Sequence, residues 1–397
     1  MFLLDFVLSY MGIFLAKNIE IKGYCEESFE SVKKVFAENF KTGLDVGASL
    51  ALAIDGKFVI DIWAGYRDKA QTQAWEKNTI VNVYSTTKVM TALCVLMLVD
   101  QGKIDLDAPV ANYWPEFAQS GKENLLVRYL LSHTSGLPGF DIPIKAEDLY
   151  DWDYIVSLLA AQKPWWEPGT RSGYHMVSFG YLLGELVRKV SGKSLGSYFR
   201  EEVAIPLKAD FHIGFSEELD FRVAELIPPN IPEPVNSVEI DPKSIAIRIA
   251  SNPIVPVTNA LTREWRAAEI PASNGHGNAR AIVDITSALA CGGRINGVKL
   301  LSRKTIDKAI EEQSYSTDLL FNAPTRWGLG WSLVSKENLI SPNTHAFSWG
   351  GFGGSHVTID LDAKLSWSFA MNNMIMSLTG DPRTMKIRKA IIDTYYN

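Results

Sequence analysis

A serine and a lysine three positions apart are the first pair in this sequence that could carry out nucleophilic chemistry. Ser85 and Lys88 form an S-x-x-K pattern directly before a run of Val, Met, Leu and Ala residues. In a helix that begins here the two side chains share one face, so the amine could take the proton of the serine hydroxyl. The helix N-terminus would favour negative charge that develops on oxygen. The spacing alone is weak evidence, because it recurs at Ser31 and Lys34 on a predicted exposed helix.

A tyrosine in the middle of the chain is the second candidate. Tyr174 follows Gly173 and a Pro168-Gly169 turn, at a position that opens a predicted helix. A phenol whose pKa is lowered by a nearby ammonium can act as a general base and can later return the proton to a leaving group. Tyr174 could therefore exchange a proton with the serine–lysine pair.

A glycine-rich segment near the C-terminus is the third candidate. Residues 348–355 read Ser-Trp-Gly-Gly-Phe-Gly-Gly-Ser and lead into a predicted strand. Glycines at the rim of a strand let a substrate lie against the backbone, and an exposed N–H there can stabilise an oxyanion. No helix is predicted to follow the segment, so it does not match a phosphate-binding loop.

Other patterns that could carry chemistry have weaker contexts. Ser194 lies in a G-x-S-x-G sequence, but the predicted helices on both sides make it a helix cap or a helix connection rather than a nucleophile. His133 and His276 lie in polar loops, where hydrogen bonds within the loop account for them. A Ser-His-Asp triad has no positive support, and it stays open. The histidines and cysteines show no metal-ligand spacing, so we expect no metal.

Taken together, the three candidates resemble the signature of the serine β-lactamase and penicillin-binding-protein superfamily, in which S-x-x-K is a known motif. The sequence most resembles the family VIII carboxylesterases, the esterase branch that is similar to class C β-lactamases. Segments at residues 130–137, 167–170 and 274–277 add to the resemblance. It extends from about residue 21 to the C-terminus.

The resemblance implies a role for each candidate. Ser85 would be the nucleophile that forms an acyl-enzyme, Lys88 would assist its deprotonation, and Tyr174 would be the general base. The backbone N–H groups of Ser85 and Phe352 would form the oxyanion hole. Which of Lys88 and Tyr174 takes the proton stays open, because two coupled groups titrate as a pair. This chemistry needs no cofactor.

Two departures from the β-lactamase pattern shape the predicted activity. Met176 stands where those enzymes have the Asn of Tyr-x-Asn, and Trp349-Gly350-Gly351 stands where they have Lys-Thr-Gly. An aromatic wall and a lost cation favour neutral, apolar acyl esters over carboxylate-bearing lactams and peptides. We therefore expect a serine carboxylesterase for short- to medium-chain esters, with Trp349, Gly350, Gly351 and Met176 contacting the substrate and with weak β-lactam hydrolysis beside it. The alternatives are a β-lactamase or D-alanyl-D-alanine peptidase and, from another class, an inactive sensor-type binding protein.

These motifs must be positioned by elements that the hydrophobic patterns predict. An amphipathic helix is expected over residues 26–40, a hairpin over 46–63 with its turn at Asp55-Gly56, and a buried helix over 85–101. Further expected helices cover residues 150–162, 176–190 and 382–395, and expected strands cover 327–334, 345–351, 355–361 and 365–371.

This order of elements predicts an α/β (α+β) protein, and the resemblance implies a serine β-lactamase/transpeptidase-like fold. One antiparallel sheet is flanked by N- and C-terminal helices, beside a mostly helical lobe. We expect an N-terminal extension at residues 1–18, a discontinuous α/β domain at 19–79 and 280–397, and a mostly helical domain at 80–279. The active site is expected in the cleft between the two domains.

Composition limits the partners and the location. The 397 residues are 47% apolar, enough for a large core, and the net charge of −6 without a polybasic run gives no indication of nucleic-acid binding. The apolar residues 1–16 are too short to span a bilayer and lack a preceding basic residue. Three isolated cysteines suit a reducing compartment. We expect a cytoplasmic protein, export being less favoured, with a small-molecule ester as its substrate; the oligomeric state stays open.

Overall fold

The computed structural model describes residues 19–229, 241, 244–378 and 381–396. The expected N-terminal extension at residues 1–18 lies outside the described residues. Within these ranges the α-helices are α1 Glu30–Lys41, α2 Thr87–Asp100, α3 Val127–Leu131, α4 Trp152–Ala161, α5 Ser178–Ser191, α6 Leu195–Phe199, α7 Ile205–Leu207, α8 Ile245–Ser251, α9 Arg263–Ala267, α10 Ala279–Ala290, α11 Arg303–Ala309 and α12 Pro382–Tyr395. The strands are β1 Lys22–Cys25, β2 Gly47–Ile54, β3 Lys57–Gly65, β4 Val81–Asn82, β5 His276–Gly277, β6 Arg294–Ile295, β7 Val298–Lys299, β8 Ser314–Asp318, β9 Ala323–Trp327, β10 Ser332–Leu333, β11 Ala346–Gly350, β12 His356–Asp360 and β13 Leu365–Met371.

Strands from the two ends of the chain form one antiparallel sheet. In the described part of the chain it has nine strands, in the order β1-β3-β2-β13-β12-β11-β10-β9-β8. The N-terminal hairpin joins the C-terminal strands where β2 pairs with β13, with Ala48 opposite Met371 and Ile54 opposite Leu365. The order of the predicted elements, with strands at both ends of the chain and a mostly helical middle, predicted this joining. The predicted fold class is confirmed.

Helices cover both faces of this sheet. On one face α1 and α12 pack against each other, and Phe36 of α1 lies edge-on to Phe369 of β13 with ring centroids 6.4 Å apart. On the other face α10 packs its small residues Ala279 and Val283 onto Ala51 and Ala53 of β2. The terminal helices were predicted from the sequence, whereas α10 was not.

Helix α2 runs through the interior and packs on α5. Every residue from Thr87 to Leu98 is buried, and Lys88 is the charged residue in that stretch. A helix that is apolar all round belongs inside a protein, so a charge placed there needs a specific environment. No helix in the described ranges is long and apolar enough to cross a membrane.

The prediction of one strand over residues 327–334 is wrong. Strand β9 ends at Trp327 and β10 begins at Ser332. Between them the N–H of Gly328 donates to the carbonyl of Trp331 over 3.0 Å, and Gly330 has a φ of 100°. A left-handed glycine lets the chain turn here, so the apolar run forms two strands and a turn.

Candidate active site

Ser85 lies at a strained turn directly before α2. Residues Tyr84–Thr86 form a single 3₁₀ turn, and Tyr84 has a φ of 41°. The left-handed region costs a non-glycine residue about 1–2 kcal/mol. The rings of Phe352 and Trp265 pack on Tyr84 with centroids 5.6 and 6.5 Å away, and the Thr87 hydroxyl donates to its carbonyl. Packing thus holds a strained backbone next to Ser85, which is typical of functional sites.

Lys88 is fully buried in the first turn of α2. Its Nζ lies 3.2 Å from Ser85 Oγ, 2.7 Å from the carbonyl oxygen of Met176 and 3.0 Å from that of Ala272. Burial lowers the pKa of Lys88 well below its usual value, and no described carboxylate pairs with it to oppose that shift. When the amine is neutral, its two hydrogens can go to the two carbonyls, which leaves a lone pair for the Ser85 hydroxyl. Lys88 is therefore placed to accept the serine proton.

Aromatic side chains hold Tyr174. Its buried ring lies parallel to Trp327, with an interplanar angle of 1° and centroids 6.1 Å apart, and stacks on Phe321 at 5.1 Å. The indole N–H of Trp349 donates to the phenol oxygen over 3.3 Å. The Nζ of Lys88 lies 4.7 Å from the centroid of the tyrosine ring. Ser85, Lys88, Tyr174 and Trp349 therefore meet in one cluster.

Asp318 fixes the backbone of Tyr174 and was not found from the sequence. This buried carboxylate accepts the N–H of Tyr174 over 3.1 Å and those of Leu320 and Phe321 over 2.9 and 3.3 Å. Its other oxygen accepts the indole N–H of Trp327 over 3.3 Å. Asp318 ends the largely polar strand β8, so its sequence context contains no signal of a buried site.

The pKa shifts of the two candidate proton carriers run in opposite directions. Burial raises the pKa of Tyr174, although its hydrogen bonds with Ser85 and Trp349 act against this. The phenol is therefore protonated at neutral pH, whereas the pKa of Lys88 is lowered. The sequence interpretation had a neighbouring ammonium lowering the tyrosine pKa, but burial of the phenol raises it instead. These directions favour Lys88 as the acceptor and Tyr174 as the donor; the assignment of Tyr174 as general base stays a prediction.

The glycine-rich segment packs against the residues that lead into Ser85. A Cβ on Gly351 would lie 2.1 Å from the carbonyl oxygen of Val83, so only glycine fits there. The Ser355 hydroxyl donates to the same oxygen over 2.8 Å, and the N–H of Gly351 donates to the carbonyl of Ser355 over 2.8 Å. Phe352 follows directly, with its ring against Tyr84. The segment thus brings the Phe352 backbone beside the turn that carries Ser85.

Two of the predicted substrate-contacting residues line a cavity at the edge of β11. The cavity has a volume of about 320 Å³, and its wall includes Trp349, Gly350, Phe321, Ser348 and His356. Trp349 and Phe321 also contact the Tyr174 ring. Ser85, Lys88 and Tyr174 themselves do not line the cavity, and its wall also includes the charged residues Arg326 and Glu337. Gly351 instead packs on backbone. The backbone carbonyl of Met176 faces Lys88.

The histidines near the site are neutral and structural. The pKa of His133 lies well below its usual value and that of His175 falls to about 3, in each case because the ring is buried. His133 Nδ1 accepts the backbone N–H of His175 over 3.1 Å, and the His175 ring pairs with Ser135 Oγ at 2.6 Å and the Gly173 carbonyl at 2.7 Å. His133 therefore ties its loop by hydrogen bonds, as the sequence indicated. In the described part of the chain Ser85 pairs with Lys88 rather than with a histidine.

Ser194 caps a helix, as predicted. Its Oγ accepts the N–H of Ser197 at the start of α6 over 3.3 Å and donates to Glu269 over 2.6 Å. The G-x-S-x-G pattern therefore belongs to a helix connection. Across the described residues, no group of histidine, cysteine, aspartate and glutamate side chains could hold a metal ion.

The antiparallel sheet, the interior helix and the S-x-x-K pair at its start define a serine β-lactamase/transpeptidase-like protein. The family model described as Beta-lactamase matches residues 36–390, and the chain belongs to this family.

Several relatives carry esterase names. The chain is 32% identical to Esterase/beta-lactamase LipL of Mycobacterium tuberculosis, over 90% of this chain and 84% of that protein. It is 27% identical to Esterase EstB of Burkholderia gladioli, over 90% of this chain and 93% of that protein. A solved structure described as a family VIII carboxylesterase is 41% identical, with a TM-score of 0.88 over 94% of this chain and 100% of that one. A penicillin-binding-protein homologue from Caulobacter crescentus is 35% identical, with a TM-score of 0.87 and the same coverage.

Proposed function

We propose that this protein is a serine carboxylesterase that hydrolyses small-molecule esters through an acyl-enzyme on Ser85. One observation carries the proposal: a fully buried lysine amine lies 3.2 Å from a serine hydroxyl, and two backbone carbonyls occupy its hydrogens. An amine in that environment is a base held against a nucleophile. The esterase relatives support the reaction class.

Acylation follows from this geometry. Lys88 takes the Ser85 proton as Oγ attacks the ester carbonyl carbon, and the backbone N–H groups of Ser85 and Phe352 stabilise the tetrahedral oxyanion. When the bond from carbon to the alcohol oxygen breaks, the departing alkoxide takes the phenolic proton of Tyr174. The Lys88 ammonium returns a proton to the tyrosine, so the site ends with a neutral amine, a neutral phenol and an acyl-serine.

Deacylation uses the same groups in the reverse direction. Water attacks the acyl carbon and gives one proton to the Lys88–Tyr174 pair. The tetrahedral intermediate then releases the carboxylic acid, and Ser85 Oγ recovers its proton. No cofactor takes part in this scheme.

The aromatic wall at Trp349 supports neutral esters as the substrate class. An indole in place of a cation offers no ion pair to a substrate carboxylate at this position. Arg326, a cation in the wall of the neighbouring cavity, is paired with Glu312 over 2.8 Å. We assign Trp349, Gly350, Gly351 and Met176 to substrate contact. We propose short- to medium-chain esters as the substrates.

Two further assignments belong to the proposal. The α/β domain comprises residues 19–79 and 280–397, and the mostly helical domain comprises residues 80–279; Ser85, Lys88 and Tyr174 of the second meet Trp349 of the first. We place the protein in the cytoplasm, because its three cysteines are free thiols, which suits a reducing compartment.

The test is steady-state hydrolysis of p-nitrophenyl acetate, butyrate and a long-chain ester by the wild type and by Ser85→Ala. We expect Ser85→Ala to lose at least about 10³-fold in kcat, with an unchanged circular dichroism spectrum. Ser194→Ala, which removes the serine of the competing G-x-S-x-G pattern, is the matched control and should retain activity. Wild-type turnover by a folded Ser85→Ala protein would refute the proposal.

Weak β-lactam hydrolysis is a second candidate, favoured by the name Esterase/beta-lactamase of the relative from Mycobacterium tuberculosis. The acyl-enzyme chemistry is the same, but Met176 and Trp349 replace the amide and the cation of the β-lactamase pattern. A chromogenic cephalosporin should therefore turn over slowly relative to short esters. Fast cephalosporin turnover with poor ester cleavage would place the protein with the β-lactamases and peptidases instead.

A further inference from the structure

A second buried cation lies close to the site, and the proposed reaction gives it no role. Arg383, in the first turn of α12, is fully buried together with Asp45 and Asp381. Its Nη1 donates to Asp45 over 2.7 Å, and its Nη2 donates to Asp381 over 2.6 Å. Asp45 precedes β2, so this cluster joins the two terminal parts of the chain.

Nε of Arg383 also donates to Asp381, over 3.1 Å, and the guanidinium further donates to backbone carbonyls of three loops. Nη2 donates to the carbonyl of Gly353 over 2.7 Å, and Nη1 donates to those of Asn373 over 2.7 Å and Leu44 over 3.2 Å. Gly353 directly follows Phe352, whose N–H we assign to the oxyanion hole. The guanidinium is thus bonded to the turn that presents this N–H.

The turn is built to receive the guanidinium. Gly353 has a φ of 95° and Gly354 a φ of 126°, both in the region that favours glycine. A Cβ on Gly354 would lie 2.2 Å from Asp381 and 2.3 Å from Arg383, so a side chain there would displace the cluster. The Gly353 carbonyl also accepts the N–H of Ile375 over 3.0 Å. The arginine and this backbone bond hold one carbonyl from two directions.

Stability alone does not account for such a cluster. Well-packed apolar residues often replace a buried ion pair at no cost, because removing charges from water offsets their attraction. A planar guanidinium, however, bonds several acceptors in fixed directions, as it does here with two carboxylates and three carbonyls. The specific effect of the guanidinium is therefore to fix the geometry of the loops that it joins.

We propose that Arg383, oriented by Asp45 and Asp381, is a positioning residue that holds the Gly353 carbonyl and thereby aims the Phe352 N–H at the developing oxyanion. The inference rests on the proposed function, in which this N–H stabilises the tetrahedral intermediate. Arg383 acts on the transition state through the turn and does not touch the substrate.

The test compares Arg383→Lys and Asp45→Asn with the wild type on p-nitrophenyl butyrate. The rate constant of the p-nitrophenol burst, kcat and KM are measured together with the thermal unfolding midpoint. Removing an oxyanion donor outright costs about 10²–10³-fold, so a misaimed one should cost Arg383→Lys about 10- to 100-fold in the burst rate constant and kcat. KM should stay within about threefold, because the contact strengthens in the transition state.

Asp45→Asn keeps the proposal falsifiable if Arg383→Lys does not fold. It preserves the shape of the carboxylate and removes its charge, and we expect a smaller loss of the same kind. Arg280→Lys is the matched control: Arg280 of α10 forms a two-point pair with Asp61 at 2.7 and 2.8 Å, on another part of the sheet. Arg280→Lys should change the unfolding midpoint and leave the burst rate constant unchanged.

The outcomes separate this inference from the reaction itself. If Ser85→Ala is inactive but folded Arg383→Lys and Asp45→Asn proteins keep wild-type burst rates, the positioning role is wrong and the serine mechanism stands. If Ser85→Ala keeps its activity, the proposed function itself is wrong, whatever the results for Arg383→Lys and Asp45→Asn. If kcat falls in all three variants, Arg383→Lys, Asp45→Asn and Arg280→Lys, the cause is a general loss of stability. That result would also overturn the positioning role.

Discussion

Lys88 and Arg383 are both fully buried basic residues, but their surroundings shift their pKa values in opposite directions. Lys88 contacts the Ser85 hydroxyl and two carbonyls and meets no described carboxylate, so burial lowers its pKa well below the usual value. Burial also acts against the charge of Arg383, but Asp45 and Asp381 outweigh it and raise the pKa of the guanidinium. Burial therefore favours loss of the proton from Lys88, whereas Arg383 keeps its charge.

The difference shows how the surroundings of a buried side chain decide between chemistry and architecture. Carbonyl dipoles satisfy the hydrogens of an amine without the full attraction of a carboxylate, so they do not prevent burial from lowering the pKa of the amine. Lys122 follows the same rule away from the site: it donates to the carbonyls of Gln119 and Gln162, and burial lowers its pKa to about 8. Lys88 also contacts the Ser85 hydroxyl, so the proposed base has the proposed nucleophile beside it, whereas the hydrogen-bond partners of Lys122 among the described residues are the two carbonyls.

Replacing Lys88 with a residue that stays protonated should have the largest effect on activity. Lys88→Arg places a group that cannot lose its proton at the position of the base, so kcat for p-nitrophenyl butyrate should fall by about 10³-fold or more. Lys122→Arg, in the other carbonyl-bonded lysine, is the control and should retain kcat. The assay is steady-state kinetics with circular dichroism on both variants. An active Lys88→Arg enzyme would remove the contrast between the two buried cations.

The next largest effect is expected from Tyr174→Phe. This change removes the phenolic proton and keeps the ring that packs on Trp327, so an alkyl ester such as ethyl butyrate should lose about 10²–10³-fold in kcat. The loss for p-nitrophenyl butyrate should be smaller, because p-nitrophenolate leaves without protonation.

Tyr181→Phe is the matched control for this tyrosine. Its buried hydroxyl donates to the carbonyl of Leu149, so the change should lower the unfolding midpoint and leave kcat unaltered. Equal losses for both leaving groups in Tyr174→Phe would show that the phenol does not protonate the departing alcohol.

The pH dependence should follow Lys88 and not Arg383. The amine has a usual pKa of 10.5 and a lowered one in the folded protein, so kcat/KM should fall about tenfold per pH unit once the pH drops below the lowered value. The unfolded chain binds the extra proton between the two pKa values, so stability should rise with pH across that window.

Lys88→Met tests the pH assignment. Its free energy of unfolding, measured by urea denaturation at several pH values, should lack this rise. A rise that persists in Lys88→Met would assign the titration to another group.

The features that could be predicted from the sequence are those whose residues interact with near neighbours along the chain. The Asp55-Gly56 turn predicted the β2–β3 hairpin, and both residues have positive φ values of 48° and 76°, as a tight two-residue turn requires. Ser85 and Lys88 are neighbours on one helical turn, so their pairing was also a local inference.

The supporting residues could not be found in this way. Asp318 bonds a residue 144 positions away, and Arg383 bonds Asp45 across 338 positions. Each reads as an ordinary charged residue until the fold brings distant parts of the chain together. The apolar run at residues 327–334 misled for a related reason, because side-chain hydrophobicity does not reveal that Gly330 turns the backbone.

The smallest effect is expected at Trp349, which contacts Tyr174 and which we assign to substrate contact. Trp349→Phe keeps an aromatic surface and removes the indole N–H that donates to Tyr174. Losing one such hydrogen bond should raise the pKa of the phenol further and lower kcat by about 3- to 10-fold, with little change in KM for short esters.

The matched control is Trp331→Phe, because the Trp331 indole also donates one buried hydrogen bond, to the carbonyl of Ala309 over 3.2 Å. Both variants should lower the unfolding midpoint, but only Trp349→Phe should lower kcat. If Trp349→Phe raises KM instead and leaves kcat unchanged, the indole contacts the substrate but does not assist Tyr174. Tyr174 would then be held by packing and Asp318 without it.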